Sequence, residues 1–204
     1  TLTLCNTNLR FSIMNLQEDK LLSLVRQNPF VMEVIDVIPS LNLPNCYVAG
    51  TCIAQTVWNL AHHKEAHADI KDIDLVYFDA DLSEEKEQRQ QTRVQEIFRD
   101  NPIHIDLKNE ARVHLWYKEA FGYDIQAYSS SEAAILTFPV RASVLGVRSE
   151  ENHYRVFATL GLEDTFNLIV RANKKQITKD IYEAKLPRWR QAWPRLTIMT
   201  WEES

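Results

Sequence analysis

A short apolar segment that ends at a glycine constrains this chain more than any other feature. Tyr47–Ala49 has the pattern of a buried strand, and Gly50 follows it directly. From Thr51 to Ala61 apolar residues recur at helical spacing, which predicts a helix that begins right after the glycine. The first turn of such a helix offers unpaired backbone N–H groups, which can bind a phosphate. An ordinary strand–turn–helix connection is the alternative interpretation.

Two further strand patterns carry three carboxylates. Asp72 and Asp74 stand two residues apart in an apolar segment, so both side chains point to one face of a strand. Asp106 stands between two apolar residues of a later strand pattern and faces away from them. Three carboxylates on one side of a small sheet repel each other unless a cation lies between them, as in a site for a divalent metal and a triphosphate. The alternative is that these are aspartates at turns where strands end.

The rest of the chain reads as helices around these strands. Pro39 is expected to end the second helix, Asn109 and Gly122 to begin and end a later one, and Pro139 to stop a short helix that opens at 129–131. The other predicted helices are 15–27, 30–38, 83–98, 110–121, 164–171 and 178–192, and the other strands are 103–107, 140–148 and 153–158.

At 204 residues we expect one domain, with N-terminal helices over 1–45, a catalytic core over 46–122 and a C-terminal part over 123–204 that packs on the core. No run approaches the ~20 apolar residues of a membrane span, and the start of the sequence lacks the features of a signal peptide. We therefore expect a cytoplasmic protein. Three cysteines without metal-type spacing are expected to be free thiols, with Cys46 and Cys52 buried.

Together these segments resemble the nucleotidyltransferase superfamily typified by DNA polymerase β. Its pattern is an apolar residue, Gly and Gly or Ser, then Asp–apolar–Asp/Glu–apolar, and later a carboxylate on a strand. The matching residues are Gly50-Thr51, Asp72-Ile73-Asp74-Leu75 and Ile105-Asp106-Leu107. More narrowly, the chain resembles a group of small bacterial nucleotidyltransferase-like proteins whose fold is similar to the head domain of CCA-adding enzymes. Segments 55–59, 72–79, 109–117 and 161–164 carry this closer resemblance.

The resemblance implies an α+β fold of the polymerase-β-like type, with a small mixed sheet flanked by helices and a partly helical C-terminal half. It implies that Asp72, Asp74 and Asp106 hold two Mg²⁺ ions, with Asp106 as the shared ligand and candidate base. Gly50 and Thr51 would bind the phosphates of a nucleoside triphosphate. The acceptor hydroxyl is unknown, and a small molecule or a protein is preferred to tRNA because the further domains that grip tRNA are missing from these 204 residues.

Two departures from the pattern leave enzymatic activity open. CCA-type heads commonly carry Arg and Asp where this chain has Ala54 and Gln55. The alternative is therefore an inactive nucleotide-binding or protein-interaction module with the same fold. Arg112 would replace the missing cation and bind nucleotide if its helix faces the cleft. Otherwise Arg112 forms a surface ion pair or packs at the edge of the core.

Two other patterns invite a ligand and also have a structural explanation. His63 and His67 stand four residues apart as in some zinc sites, although solvent-exposed histidines in a polar connector explain them as well. Arg188, Trp189 and Arg190 interleave basic and aromatic residues as RNA binders do, but a helix that buries its tryptophan has the same pattern. A nucleic-acid partner is not required by a chain with a net charge of −5.

Overall fold

The computed structural model describes residues 15–151 and 153–204. The start of the sequence, where signal-peptide features are lacking, lies outside the described residues, and so does Cys5. Residues 15–25 form helix α1. The remaining helices are α2 (Pro29–Leu41), α3 (Thr51–Ala61), α4 (Glu84–Ile97), α5 (Val113–Phe121), α6 (Ser131–Ile135), α7 (Glu163–Phe166), α8 (Lys179–Glu183) and α9 (Leu186–Ala192). The strands are β1 (Tyr47–Ala49), β2 (Asp72–Tyr77), β3 (His104–Asn109), β4 (Gly146–Glu150), β5 (His153–Phe157), β6 (Ile169–Val170) and β7 (Thr197–Ile198). Within the described ranges, no helix is long and apolar enough to cross a membrane.

The central sheet has five strands in the order β3-β2-β1-β4-β5. Strands β2 and β3 are parallel, and every other neighbouring pair in this sheet is antiparallel. Strands β6 and β7 form a separate two-stranded parallel sheet. The predicted small mixed sheet flanked by helices is therefore confirmed.

The two faces of the sheet have different partners. One face packs in the main hydrophobic core, under helices α1 to α4, through Val48, Ile73, Leu75, Ile105, Leu107 and Val147. The opposite face carries Tyr47, Ala49 and Val76, which pack with Ile135 of α6 and with Val144. Because side chains alternate along a strand, the aspartates of β2 and β3 fall on this second face.

Helix α4 covers the free edge of β3 with its own side chains. The Gln91 amide donates to the Ile105 carbonyl at 3.1 Å and accepts from the Leu107 N–H at 2.8 Å. Glu87 Oε1 accepts from the Asn109 N–H at 2.7 Å. These contacts take the place of a neighbouring strand, so they fix β3 next to β2 and protect an edge that could pair with another chain.

Several predicted helix boundaries are confirmed. Helix α3 has the predicted bounds. Ser83 caps α4 by accepting from the Lys86 N–H at 3.2 Å, and three glutamates lie in the first turn of that helix. Gly122 ends α5 in the left-handed conformation.

The prediction that Pro39 ends the second helix is wrong. Helix α2 continues through Pro39 to Leu41 and ends at Asn42, which has a left-handed backbone. Ile38 and Leu41 are buried, and their burial offsets the hydrogen bond that Pro39 cannot donate.

Helix α5 begins three residues later than predicted. Asn109 does not cap this helix, because its side-chain oxygen accepts from the N–H groups of Asp79 and Ala111 at 3.0 and 3.2 Å. These bonds hold a turn between β3 and α5, and the first helical residue is Val113.

Three segments of the C-terminal half are also more broken than predicted. The expected helix over 178–192 is two helices, and Pro187 lies in the first turn of the second, where proline is well tolerated. In the segment 164–171, helix α7 is short, and the β-branched residues of β6 pair with β7 instead. The first part of 140–148 forms a single 3-10 turn before β4 begins.

The tryptophans of the C-terminal half are core residues. Trp189 and Trp193 are buried against Trp58 of α3, with ring centroids 5.9 and 5.5 Å from it. Arg188 and Arg195 donate to backbone carbonyls of the segment 61–69. The interpretation in which this region buries its tryptophans is confirmed, so these rings cannot stack on bases in this fold.

The connector between α3 and β2, residues 62–71, holds no ready metal site. His62 binds the Trp58 carbonyl and the Arg195 N–H through its two ring nitrogens, and His67 packs on Phe30 at a ring distance of 4.9 Å. In the part of the chain that the structure describes, no three His, Cys, Asp or Glu side chains are grouped to hold a metal ion. Cys46 and Cys52 are free and buried, as predicted.

Asn59 links the connector between α3 and β2 to the core by hydrogen bonds. Its buried side-chain amide donates to the carbonyls of Ala66 and Ala68 at 3.0 and 2.6 Å. Its oxygen accepts from the Trp193 indole N–H at 2.7 Å. One side chain therefore satisfies three polar groups, two of which belong to a segment without regular structure.

Asn59→Ala should lower the free energy of unfolding by about 2–4 kcal/mol, because it leaves the Ala68 carbonyl and the Trp193 indole N–H without partners. The Ala66 carbonyl keeps the hydrogen bond that the Asn28 side chain donates at 3.2 Å. Urea unfolding followed by tryptophan fluorescence measures this loss. The exposed amide Gln95 provides the control, since Gln95→Ala should change stability by less than about 0.5 kcal/mol. Equal effects of the two substitutions would contradict the role given to Asn59.

Candidate active site

The turn between β1 and α3 requires glycine. Gly50 has φ 75° and ψ −132°, a conformation that L side chains rarely adopt, and its N–H donates to the Leu145 carbonyl at 2.9 Å. A Cβ at this position would lie 2.6 Å from the Phe138 ring and 3.5 Å from Asp74 Oδ2. Helix α3 begins at the next residue with no side-chain cap, so its first N–H groups stay available beside Asp74.

Asp74 and Asp106 face each other across two parallel strands. The two residues are direct register partners and lie on the same face of the sheet. Both line a cleft of about 290 Å³, and Thr51 lines it as well. The structure therefore brings together three residues that the sequence placed in one site.

Asp72 lies at the edge of this arrangement. It is the exposed first residue of β2 and does not line the cleft. Its charge nevertheless acts on Asp74. Burial, then the charges of Asp72 and Asp106, raise the pKa of Asp74 to about 7, and Lys185 and Lys108 oppose the shift.

The donor atoms of Asp74 and Asp106 fit a hard divalent cation. Mg²⁺ prefers oxygen ligands and is commonly held by one or two carboxylates together with substrate phosphates and water. Burial and the neighbouring charges of Asp72 and Asp106 raise the pKa of Asp74, and a bound cation would offset both effects. Lys108 Nζ lies 2.9 Å from Asp106 Oδ1 and neutralises part of this charge.

The structure does not bring Arg112 into the cleft. Its guanidinium pairs with Glu87, lies 3.8 Å from Glu84, and donates to the Leu82 carbonyl at 2.9 Å. Arg112 is buried under α4, so the alternative of an arginine at the edge of the core describes its position.

Two lysines provide the cations of the cleft instead, and sequence reasoning missed both. Lys108 stands two residues after Asp106 on β3, so the period-2 alternation places it on the same face. Lys185 comes from the connection between α8 and α9, and no local pattern connects it with the aspartates.

Aromatic side chains also line the cleft. Trp116, Tyr117 and Phe121 of α5 line it together with Tyr128, and we call these four residues the aromatic wall. Tyr128 is fixed by hydrogen bonds, since its hydroxyl lies 2.9 Å from Thr137 Oγ1 and 3.0 Å from the Gln176 side-chain oxygen. The cleft therefore combines carboxylates and lysines with the ring faces of aromatic side chains.

Comparison with known proteins agrees with this geometry. A family model described as nucleotidyltransferase matches residues 36–198, most of the chain. The chain belongs to this nucleotidyltransferase family. A solved NMR structure described as revealing a CCA-adding enzyme head domain is similar in fold, with a TM-score of 0.74 and 25% sequence identity. The similarity covers 89% of this chain and 95% of that one. No curated protein matches the chain.

Both expected resemblances are thereby confirmed, for the family and for the CCA-adding head fold. The nucleotidyltransferase family match spans β1 to β7, so it includes the glycine turn, both aspartate strands and the aromatic wall. The metal-binding and nucleotide-binding roles of Gly50, Thr51, Asp72, Asp74 and Asp106 remain predictions.

The raised pKa of Asp74 predicts how the stability of this nucleotidyltransferase depends on pH. The carboxyl ionises near pH 3.8 when unfolded but near pH 7 in the fold. Between these values the unfolded state binds fewer protons, so stability falls as the pH rises from about 4 to about 7 and the loss persists above that. Without divalent metal, Asp74→Asn should therefore stabilise the protein at pH 8 by about 1–3 kcal/mol and change it little at pH 4.5.

Urea unfolding in EDTA at these two pH values measures this difference. A variant that gains the same stability at both pH values would show that charge on Asp74 is not the cause.

Proposed function

We propose that this chain is a Mg²⁺-dependent nucleotidyltransferase that moves a nucleoside monophosphate from an NTP to an acceptor hydroxyl, on a small molecule or a protein. One observation carries the proposal. The first turn of α3 and the Asp74–Asp106 pair open into the same cleft. Phosphate-binding N–H groups and oxygen ligands for a cation are the two components that transfer of this kind requires.

Thr51 and the first N–H groups of α3 would bind the phosphates that leave as pyrophosphate. The positive end of the helix favours negative charge, and Gly50 allows the backbone to approach closely. Lys185 lies on the same cleft and would neutralise part of the leaving charge. It supplies a cation that this chain lacks at Ala54, which is buried within α3.

Asp74 and Asp106 would hold Mg²⁺, with Asp72 approaching from the start of β2. Bound Mg²⁺ would polarise the α-phosphate and lower the pKa of the acceptor hydroxyl. Asp106 would accept the hydroxyl proton as the acceptor oxygen bonds to the α-phosphorus and the bond to pyrophosphate breaks. The protein's share of catalysis is then positioning and charge neutralisation.

The second candidate is a module that binds nucleotide without turning it over. Ala54 and Gln55 stand where CCA-type heads commonly carry Arg and Asp, and both are buried and do not line the cleft. This difference favours the binding module. Lys108 and Lys185 weaken this candidate, because they restore positive charge to the cleft.

Pyrophosphate release separates the two candidates. The protein is incubated with each NTP and Mg²⁺, with and without hydroxyl-bearing compounds and protein extract, and adducts are sought by mass spectrometry. We expect pyrophosphate release that depends on an added acceptor, together with a nucleoside monophosphate adduct of matching mass. NTP binding without turnover under any of these conditions would favour the binding module.

A further inference from the structure

Glu110 is a largely buried acid that lines the cleft. It follows β3 directly, and its N–H donates to the Tyr77 carbonyl at 2.8 Å, which keeps it aligned with β2. The residue is only 5% exposed, and it lines the cleft. Among residues 15–151 and 153–204, no hydrogen bond or ion pair reaches its carboxyl group. Lys108, which lines the same cleft, is the cation whose charge acts on this carboxyl group. Its carboxyl oxygens are not among the solvent-sealed polar atoms that lack a partner, so they open to the cleft. A largely buried acid that opens to a cleft and that the described residues leave unpaired points to a ligand group.

The order of the strands places Glu110 opposite the phosphate-binding turn. Gly50 ends β1, which lies on one side of β2, and Glu110 ends β3, which lies on the other side. Asp74 of β2 lies between them. In phosphoryl transfer the attacking and leaving oxygens are roughly in line across the phosphorus. If pyrophosphate leaves toward Gly50, the acceptor must approach from the side of β3, where Glu110 lies.

The aromatic wall lines the same cleft as Glu110. Burial is the main cause that raises the pKa of Tyr128, and the nearby charge of Glu110 adds to it. Tyr117 is held in turn by Tyr123, whose hydroxyl lies 3.1 Å from the Tyr117 hydroxyl and donates to the Gln176 carbonyl. Ring faces next to an acidic hydrogen-bonding group suit a ligand with an apolar ring face and N–H or O–H groups at its edge.

We propose that Glu110 and the aromatic wall form the acceptor site, and that the acceptor is a small ring compound bearing hydroxyl or amino groups, such as an amino sugar, a hexose or a nucleoside. The Glu110 carboxyl group binds a hydroxyl or amino hydrogen of this compound, and the aromatic wall contacts its ring. This assignment rests on the proposed function, since the in-line argument needs pyrophosphate as the leaving group.

Glu110→Leu and Glu119→Leu test the assignment. Glu119 lies exposed on α5 and serves as the matched control. Amino sugars, hexoses and nucleosides are screened against the wild-type protein by saturation-transfer NMR without nucleotide, and the binders are titrated by calorimetry. We expect Glu110→Leu to weaken the binding of such a compound by about tenfold or more. Glu119→Leu should change the affinity for the same compound by less than about twofold. Glu110→Leu should also change the affinity for NTP by less than about twofold. Glu110→Leu should unfold at no lower urea concentration than the wild-type protein, because it removes an unpartnered buried acid.

Two results would overturn the acceptor assignment. If none of the compounds binds the wild-type protein, or binding persists in Glu110→Leu, the ligand class is wrong. If Glu110→Leu changes the affinity or the order of preference among the four NTPs, Glu110 contacts the donor nucleotide instead. Failure of the proposed function is seen separately, as absence of NTP binding to the wild-type protein while binding of a ring compound can still be measured.

Discussion

Asp74→Asn is expected to lower the rate of pyrophosphate release by at least about 10²–10³-fold. Asp74 is the carboxylate that adjoins both the first turn of α3 and Asp106, so its charge lies where phosphate and cation are proposed to meet. The substitution keeps the size of the side chain but removes the charge. The variant should remain folded, because the carboxyl is destabilising in the absence of metal.

The control for this prediction is Asp100→Asn. The Asp100 side chain is 92% exposed and does not line the cleft, so this substitution should leave the rate within about twofold. Rates that fall equally in both variants, or that stay unchanged in Asp74→Asn, would remove Asp74 from the active site.

Gly50→Ala is expected to lower the free energy of unfolding by about 2–4 kcal/mol. Two costs add at this position. The backbone at φ 75° strains any L residue, and the new Cβ would lie 2.6 Å from the Phe138 ring. Because the same turn is the proposed phosphate-binding site, NTP binding should weaken together with stability.

Gly122 separates the two costs. It also has a positive φ, 85°, but a Cβ there meets nothing within 4 Å, so Gly122→Ala should cost only about 1 kcal/mol. In a double-mutant cycle with Phe138→Ala, the cost of Gly50→Ala should fall but stay above the cost of Gly122→Ala. Gly122 has ψ 2° and lies in the left-handed helical region, whereas Gly50 has ψ −132° and lies outside it, where an L residue is more strained. Urea unfolding measures all of these variants. Equal costs for the two glycines would show that the contact with Phe138 is unimportant.

The central strands and α3 were predictable because their residues follow strict periods. Asp74 and Asp106 alternate with residues of the main core, so the face that carries them follows from sequence alone. Their register could not be read in this way, because nothing local says that β2 and β3 are parallel or that these two residues are opposite each other.

Arg112 and Lys185 show where sequence reasoning about the site failed. Arg112 stands near the third strand, but α4 presents Glu84 and Glu87 to it, a contact between segments about 25 residues apart that no pattern indicates. Lys185 reaches the cleft from the far end of the chain because buried tryptophans dock α9 against α3. Glu110 could have been predicted as a site residue, since it continues the alternation that places Asp106 and Lys108 on one face of the sheet. That the described residues leave its carboxyl group unpaired is visible only in three dimensions.

Calorimetric titration of the four NTPs, with and without Mg²⁺, tests the central claim most directly. It is carried out on the wild-type protein and on the Asp72→Ala/Asp74→Ala variant. The account predicts that at least one NTP binds the wild-type protein only with Mg²⁺, and that this binding disappears in the variant. No binding of any NTP at millimolar concentration, or equal binding to the variant, would contradict the assignment of this cleft to nucleotidyl transfer.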